Sequence, residues 1–242
     1  MNIFYVDRDP VKAAKMMCDK HIIKMILESA QMLCSAKRVL DGTEYFDTTK
    51  NGRKIKRWRL DNSNEEATIY KAGWLGHPST QWVMKSAYNY IWLFKHMMAL
   101  NEEYKLRWQK DKDHISITKL SQLLSVPPKN ARVDVIGTDA TPAMPDHCKI
   151  PGDSVGSYRK YYILEKRRFA KWEKPNAVMP DWYKEGIQDK YEEMEKLSLE
   201  ESKRQTKDRR SEGKNMLRPF TFDEKKILWD GLYNDGYKRK NI

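Results

Sequence analysis

Cysteine is scarce in this 242-residue chain: Cys18, Cys34 and Cys148 are an odd number with no close pair, which argues against a disulfide framework and against a cysteine zinc site. The histidines at 21, 77, 96, 114 and 147 are scattered and form no His-Glu-x-x-His pattern, so no metal is expected. Neither phosphate-cradling loop, GxGxxG nor GxxxxGK(S/T), occurs. Nucleotide-dependent chemistry and a bound cofactor are therefore not expected. Long apolar runs, a signal peptide and a lipidation motif are also missing, and mean hydropathy is −0.84; the sequence reads as a soluble, cytoplasmic protein. Strand signals are few, which points to a mainly α fold.

Positive charge is what the chain has in excess. Lys and Arg number 46 against 34 Asp and Glu, a formal net charge of +12. That is beyond what solubility needs and draws phosphates, so an anionic partner is expected. Two basic runs carry interleaved aromatics. GRKIKRWRL supplies Arg53, Lys54, Lys56, Arg57 and Arg59 around Trp58, and YRKYYILEKRRFAKW supplies Arg159, Lys160, Lys166, Arg167, Arg168 and Lys171 with Tyr158, Tyr161, Tyr162 and Trp172. The charges suit a nucleic-acid backbone. Taken singly, the aromatics read equally as core.

Along the chain, Asp9-Pro10 marks a helix start with proline in the first turn. Asp19 is placed to cap a second helix from Lys20 to about Leu40, stopped by Asp41-Gly42. The polar stretch 41–64 suggests a hairpin or an ordered loop. From His77 to Trp108 the chain has a start signal at Pro78-Ser79 and then no Pro or Gly, which predicts one long helix. Prolines in VPPK, TPAMPD and KIPGD make 125–156 a surface connector. Another helix is expected over 154–172. The organisation read from this is a compact helical domain over 1–184 and a charged helical extension over 185–242, with a short amphipathic helix in FTFDEKKILWDGLY.

Within the second helix, Ile22, Ile23, Ile26, Leu27, Ala30, Leu33 and Cys34 gather on one side. His21, Lys24, Glu28 and Gln31 share a sector of roughly 80° opposite. On spacing alone this row is a solvated face with a Lys24–Glu28 pair contributing a few tenths of a kcal/mol. Met25 and Met32 flank it, as they would in a cleft that closes over a ligand.

Asp19-Lys20-His21 followed by Glu28, then His77-Pro78 through Glu103 and Arg107, then Ile150-Pro151, Glu165-Lys166 and Pro180-Asp181-Trp182-Tyr183-Lys184, occur in that order. This series resembles the bacteriophage pyrimidine-dimer DNA glycosylase/AP lyase family of the endonuclease V type, over residues 1–184 in fragments. The resemblance implies duplex DNA as partner, a target base turned out of the stack, and an amine that attacks the sugar C1′ and holds it as an imine. An ordinary α-amine with pKa ~7.8 is about one third neutral at pH ~7.5, against about 0.1 % for an ordinary lysine. The Met1 amine is therefore the implied nucleophile, with Lys24 in reserve. Glu28 would stabilise the oxocarbenium-like sugar and assist β-elimination, and His21 would orient Glu28, contact phosphate or serve as a structural hydrogen-bonder. Arg8, Lys20, Gln31, His77, Trp182, Tyr183 and Lys184 join the two basic runs as implied DNA contacts. Met1-Asn2 stands where the family exposes a threonine, and Leu27 and Gln31 stand where it carries arginines. A non-catalytic DNA-binding accessory protein and a DNA-base modification transferase using the same groove are the alternative readings.

Overall fold

A computed structural model describes residues 1–133 and 136–211. The terminal amphipathic helix expected from the sequence falls outside these residues. The architecture is mainly α-helical with one small hairpin. After a short extended start, α1 (Pro10–Met16) is opened by Asp9, whose carboxylate accepts the Val11 and Lys12 amide N–H groups at 2.8 and 3.1 Å.

The central element is α2 (Asp19–Asp41), which buries Ile22, Ile26, Ala30 and Leu33. Asp19 is not its cap as expected. Its carboxylate instead accepts the Glu173 and Lys174 amides at 2.7 and 3.0 Å and pairs with Arg107 at 3.2 Å, because the 171–174 segment crosses the helix start. α2 stops where the chain turns tightly at Gly42, where a Cβ would stand 2.5 Å from the Arg38 carbonyl oxygen. The antiparallel hairpin follows, β1 (Thr43–Thr48) pairing with β2 (Lys54–Arg59) in the register Thr43↔Arg59 to Thr48↔Lys54. It settles the choice left open for 41–64. α3 (Ser63–Thr68) closes behind it.

The single helix expected over 77–108 is two: α4 (Pro78–Lys85) and α5 (Ala87–Trp108). Ser86 between them is extended, at φ −156° and ψ 158°, and its hydroxyl oxygen accepts the Asn89 N–H at 3.2 Å. The Asn89 amide donates to the Trp82 carbonyl at 2.9 Å, and the Ala87 N–H donates to Arg132 O at 2.9 Å. Side chains and a segment distant in sequence thus satisfy the backbone that a continuous helix would have paired. Then come α6 (Ile115–Leu124), the connector, α7 (Ser154–Tyr161) and α8 (Asp181–Ser211). The helix expected over 154–172 is shorter: α7 passes into one π turn at Tyr162–Lys166, and the chain turns away.

α2 lies at the centre of the molecule, packed by α5, α4, α6 and α1. Two buried arginines fasten the outer pieces to it. Arg38 donates to the carbonyls of Trp58, Glu66, Ile69 and Tyr70 at 2.8 to 3.0 Å, holding the hairpin and α3. Arg107, fully buried, donates to the Lys15 and Met17 carbonyls and pairs with Glu103 and Asp19. No described helix is long and apolar enough to cross a membrane. α8 passes positions 184 and 185 without a break, and Ile187 and Tyr191 still touch the body of the fold.

Candidate active site at the amino terminus

The first six residues lie over the side of α2 that carries the polar row. Asn2 sets their path. Its side-chain oxygen accepts the Ile3 and Phe4 N–H groups at 2.8 and 3.0 Å, and its amide donates to Ala143 O at 2.9 Å. This turn puts Phe4 at φ 52°, in the left-handed region, and Phe4 is then sealed by its ring contacts with His21, Tyr158, Tyr161 and Tyr162. Chain direction at the terminus is fixed as a result.

The Asn2 backbone N–H donates to Glu28 Oε2 at 2.9 Å, and the Met1 amine stands 3.8 Å from that same oxygen. Lys24 Nζ lies 3.6 Å from the other oxygen, Oε1. The Met1 side chain is only 3 % exposed, its sulfur accepting the Thr80 hydroxyl at 3.8 Å, so burial of the methionine leaves its amine facing the carboxylate. Glu28 itself is 14 % exposed and Lys24 63 %. The arrangement is an amine and a flexible cation on either side of one carboxylate, reachable from solvent.

His77 completes this corner. It caps α4, its Nδ1 accepting the Ser79 N–H at 3.2 Å, so a neutral ring carries its proton on Nε2. Burial holds its pKa below the ordinary value, the positive Met1 amine adds to this, and Glu28 opposes it. Those two charges place His77 within electrostatic reach of the pair.

His21 does not join the cluster. It is 3 % exposed, stacked on Phe4 at 4.2 Å between ring centroids, and hydrogen-bonded through Nδ1 to the Tyr162 hydroxyl. Desolvation, with the charges of Lys24, Lys166 and Lys20, pushes its pKa down to about 3. Its partners are those of a structural hydrogen-bonder. The apolar side of α2 is also not as expected, since Ile23 and Leu27 are 38 and 39 % exposed. Covering of the polar row by residues 1–6 and the turn after α7 rotates the exposed stripe toward Ile23, Lys24 and Leu27.

The implied DNA contacts fall into separate groups. Arg53, Lys54 and Lys56 are exposed on the hairpin, with Lys54 over Phe46 and Lys56 paired to Glu44 at 3.0 Å. Arg57 is half-buried, and its Nε has no hydrogen-bond partner among the described residues. From Glu28 to the hairpin, α2 runs about 20 Å at 1.5 Å per residue. Gln31, one turn from Glu28, is half-buried. Arg8 is exposed and clasps Asp139 at 2.9 Å; Lys20 is exposed beside Phe169. Arg159 reaches back to Val6 O at 2.9 Å and Asp7 at 3.7 Å. Lys160 is half-buried, Lys166 covers Tyr161, Arg167 donates to the Tyr191 hydroxyl at 2.9 Å, and Arg168 is exposed. Lys184 is exposed and pairs with Asp181 at 3.0 Å. Tyr183 is 4 % exposed in a nest with Tyr162, Trp172 and Trp182, and the Trp182 indole N–H points to Met16 sulfur. These two aromatics are built into packing rather than presented as free faces.

Sequence reasoning missed Asn2 and Thr80 as site builders, because their roles arise from contacts with Ala143 and Met1 that no local pattern encodes. It also missed a potential metal-ligand group. His147, Cys148 and Glu165 have ligand atoms within 4.8 Å of one another, with His147 Nε2 2.8 Å from Glu165. Lys160 and Lys166 bear electrostatically on that cysteine, which opposes cation binding there.

Against this geometry, a family model described as pyrimidine dimer DNA glycosylase matches residues 1–116. No curated protein and no solved structure matches the chain. The matched span contains Met1, Lys24, Glu28 and His77, the residues that meet at the terminus, while Ile150-Pro151, Glu165-Lys166 and the Pro180–Lys184 motif lie beyond it. Over the part of the chain that builds the amine–carboxylate corner, this protein is similar to the pyrimidine dimer DNA glycosylases, a similarity that supports a DNA-processing, glycosylase-like role.

Proposed function

We propose that the protein is a DNA glycosylase that uses the Met1 α-amine as nucleophile and Glu28 as its carboxylate partner, acting on duplex DNA at a damaged base turned out of the stack. The observation that carries this is the 3.8 Å separation of the Met1 amine and Glu28 Oε2. In the reaction the amine lone pair bonds to C1′ as the C1′–base bond breaks. The base leaves with that bonding pair and takes up a proton. Opening of the sugar ring moves the O4′ bond pair onto oxygen, which is protonated, while the nitrogen lone pair forms the C1′=N bond of an iminium. Glu28 stabilises positive charge developing at the sugar and then takes a C2′ proton, so that the 3′ phosphate leaves by β-elimination. Water hydrolyses the imine and frees the amine.

The Asn2 N–H bond to Glu28 supports this division of labour by holding the carboxylate beside the amine. Lys24 balances its charge and Lys54, Lys56 and Arg53 on the hairpin grip phosphates farther along the duplex.

The test is incubation with a duplex carrying an abasic site, followed by borohydride. A covalent adduct that maps to Met1 is expected, as is turnover on a duplex carrying one cyclobutane thymine dimer. Glu28→Gln should keep DNA affinity within about twofold and lower turnover at least ~10²-fold. One residue added before Met1 should abolish the adduct by moving the amine. DNA binding with neither adduct nor turnover would leave an accessory DNA-binding protein.

A further inference from the structure

Trp74 is the residue on this surface whose conformation packing does not explain. It is 70 % exposed, yet its backbone sits at φ 56°, a region that bulky side chains avoid at a cost of order 1 kcal/mol or more. An indole left in water in a strained turn has nothing to gain from the free protein's fold. The turn is nonetheless firmly held. The Ser35 hydroxyl accepts the Gly73 N–H at 3.1 Å, the His77 N–H donates to the Trp74 carbonyl at 3.0 Å, and the Gln81 amide donates to the Leu75 carbonyl.

These anchors tie the Trp74 turn to α2 at Ser35 and to the start of α4 at His77. Ser35 lies on α2 about two turns beyond Glu28, and His77, three residues after Trp74, feels the charges of both Met1 and Glu28. On either side of this turn the surface is open: a Cβ added at Gly73 or at Gly76 would meet nothing within 4 Å. Exposed Lys24, at 63 %, supplies positive charge one turn to the other side of Glu28 along α2.

We infer that Trp74 is a stacking residue that enters the duplex beside the target nucleotide, filling or capping the gap left when the base turns out. The inference rests on the glycosylase reading and deepens it by naming the group that holds the extruded state. A base in DNA offers a flat π face whatever its identity, and an indole on a rigid turn meets it with little conformational entropy to lose. The strained backbone aims the ring outward, which is useful only if something outside receives it. Trp74 is a positioning residue in this account, since it touches the neighbouring base stack and leaves the bond-breaking groups to the terminus.

The test uses the full chain and two duplexes: one with a thymine dimer flanked by 2-aminopurine, and one with a preformed abasic site. Wild-type protein is expected to raise 2-aminopurine fluorescence on binding the dimer duplex, reporting loss of stacking. Trp74→Ala should abolish that rise and reduce turnover on the dimer on the order of ten- to a hundredfold. Borohydride trapping on the abasic duplex should fall by less than about threefold, because no base has to be displaced. Trp74→Phe should restore most of the fluorescence change and the turnover, which a residue needed only for folding of the turn would not require to be aromatic. Trp74→Gly, which relieves the left-handed backbone, checks the fold by thermal unfolding no lower than that of wild type. If wild type is active and Trp74→Ala matches it in fluorescence and turnover, the stacking role is wrong while the glycosylase reading stands. If wild type neither traps nor turns over, the glycosylase reading fails first and takes this inference with it.

Discussion

Lowering the pH from 7.5 to 5.0 should destabilise the protein through His21, and the amount follows from the geometry. His21 is 3 % exposed, between Phe4 and Phe169, and burial together with three lysines holds its pKa near about 3. In the unfolded chain a histidine takes its proton near pH ~6.5. The folded pKa is therefore depressed: stability is complete above about 6.5 and is lost as the pH falls toward 3, because only the unfolded state binds the proton in that window. At pH 5.0 the difference amounts to about 1.5 units, or ~2 kcal/mol. Other groups titrate as well, His96 among them, pushed down to about 4 by complete burial. A double difference removes them. Urea unfolding of wild type and His21→Gln, followed by far-UV circular dichroism at pH 7.5 and 5.0, should show wild type losing about 2 kcal/mol more than the variant. Since His21 stacks on Phe4, the acid-sensitive contact is also the one that fixes the terminus beside Glu28. Parallel pH dependence in the two proteins would refute the claim that His21 is held neutral by burial.

Arg107→Ala should be far more damaging than a typical surface change. It leaves Asp19 and Glu103 without their buried cation, a loss of about 3 to 5 kcal/mol measurable as a fall in the urea midpoint. Charge reversal at Arg53 and Lys54, both exposed on the hairpin, should weaken binding to duplex DNA of any sequence. It should also flatten the plot of log affinity against log salt by about 0.9 for each phosphate that the hairpin no longer neutralises, with thermal stability unchanged. Equal slopes for the two proteins would remove the hairpin from the DNA-binding surface.

Helical class, the start of α1 and the end of α2 were legible because each is written in local signals, Asp9 before Pro10 and Gly42 after a periodic run, whereas the hairpin was one of two readings of 41–64 and Asp19 was misassigned as the α2 cap. The division of 77–108 into α4 and α5 was not legible, since a serine in a helix-forming sequence breaks it only with help from Asn89 and from Arg132 in another part of the chain. The same distinction applies to the candidate site. Periodicity correctly grouped Lys24 with Glu28, but it assigned His21 to their side and Ile23 to the core. The reverse exposures come from residues 1–6 and from Tyr162, which only the folded chain lays across α2. Met1 shows why such coverage matters. As sequence, a methionine ahead of Asn2 looks like an obstruction at a reactive terminus. In the fold its side chain is buried against Thr80 while the next backbone N–H binds Glu28. The apolar group acts as the anchor that directs the Met1 amine, while the Asn2 nitrogen, 2.9 Å from Glu28 Oε2, is held in place by its own side chain.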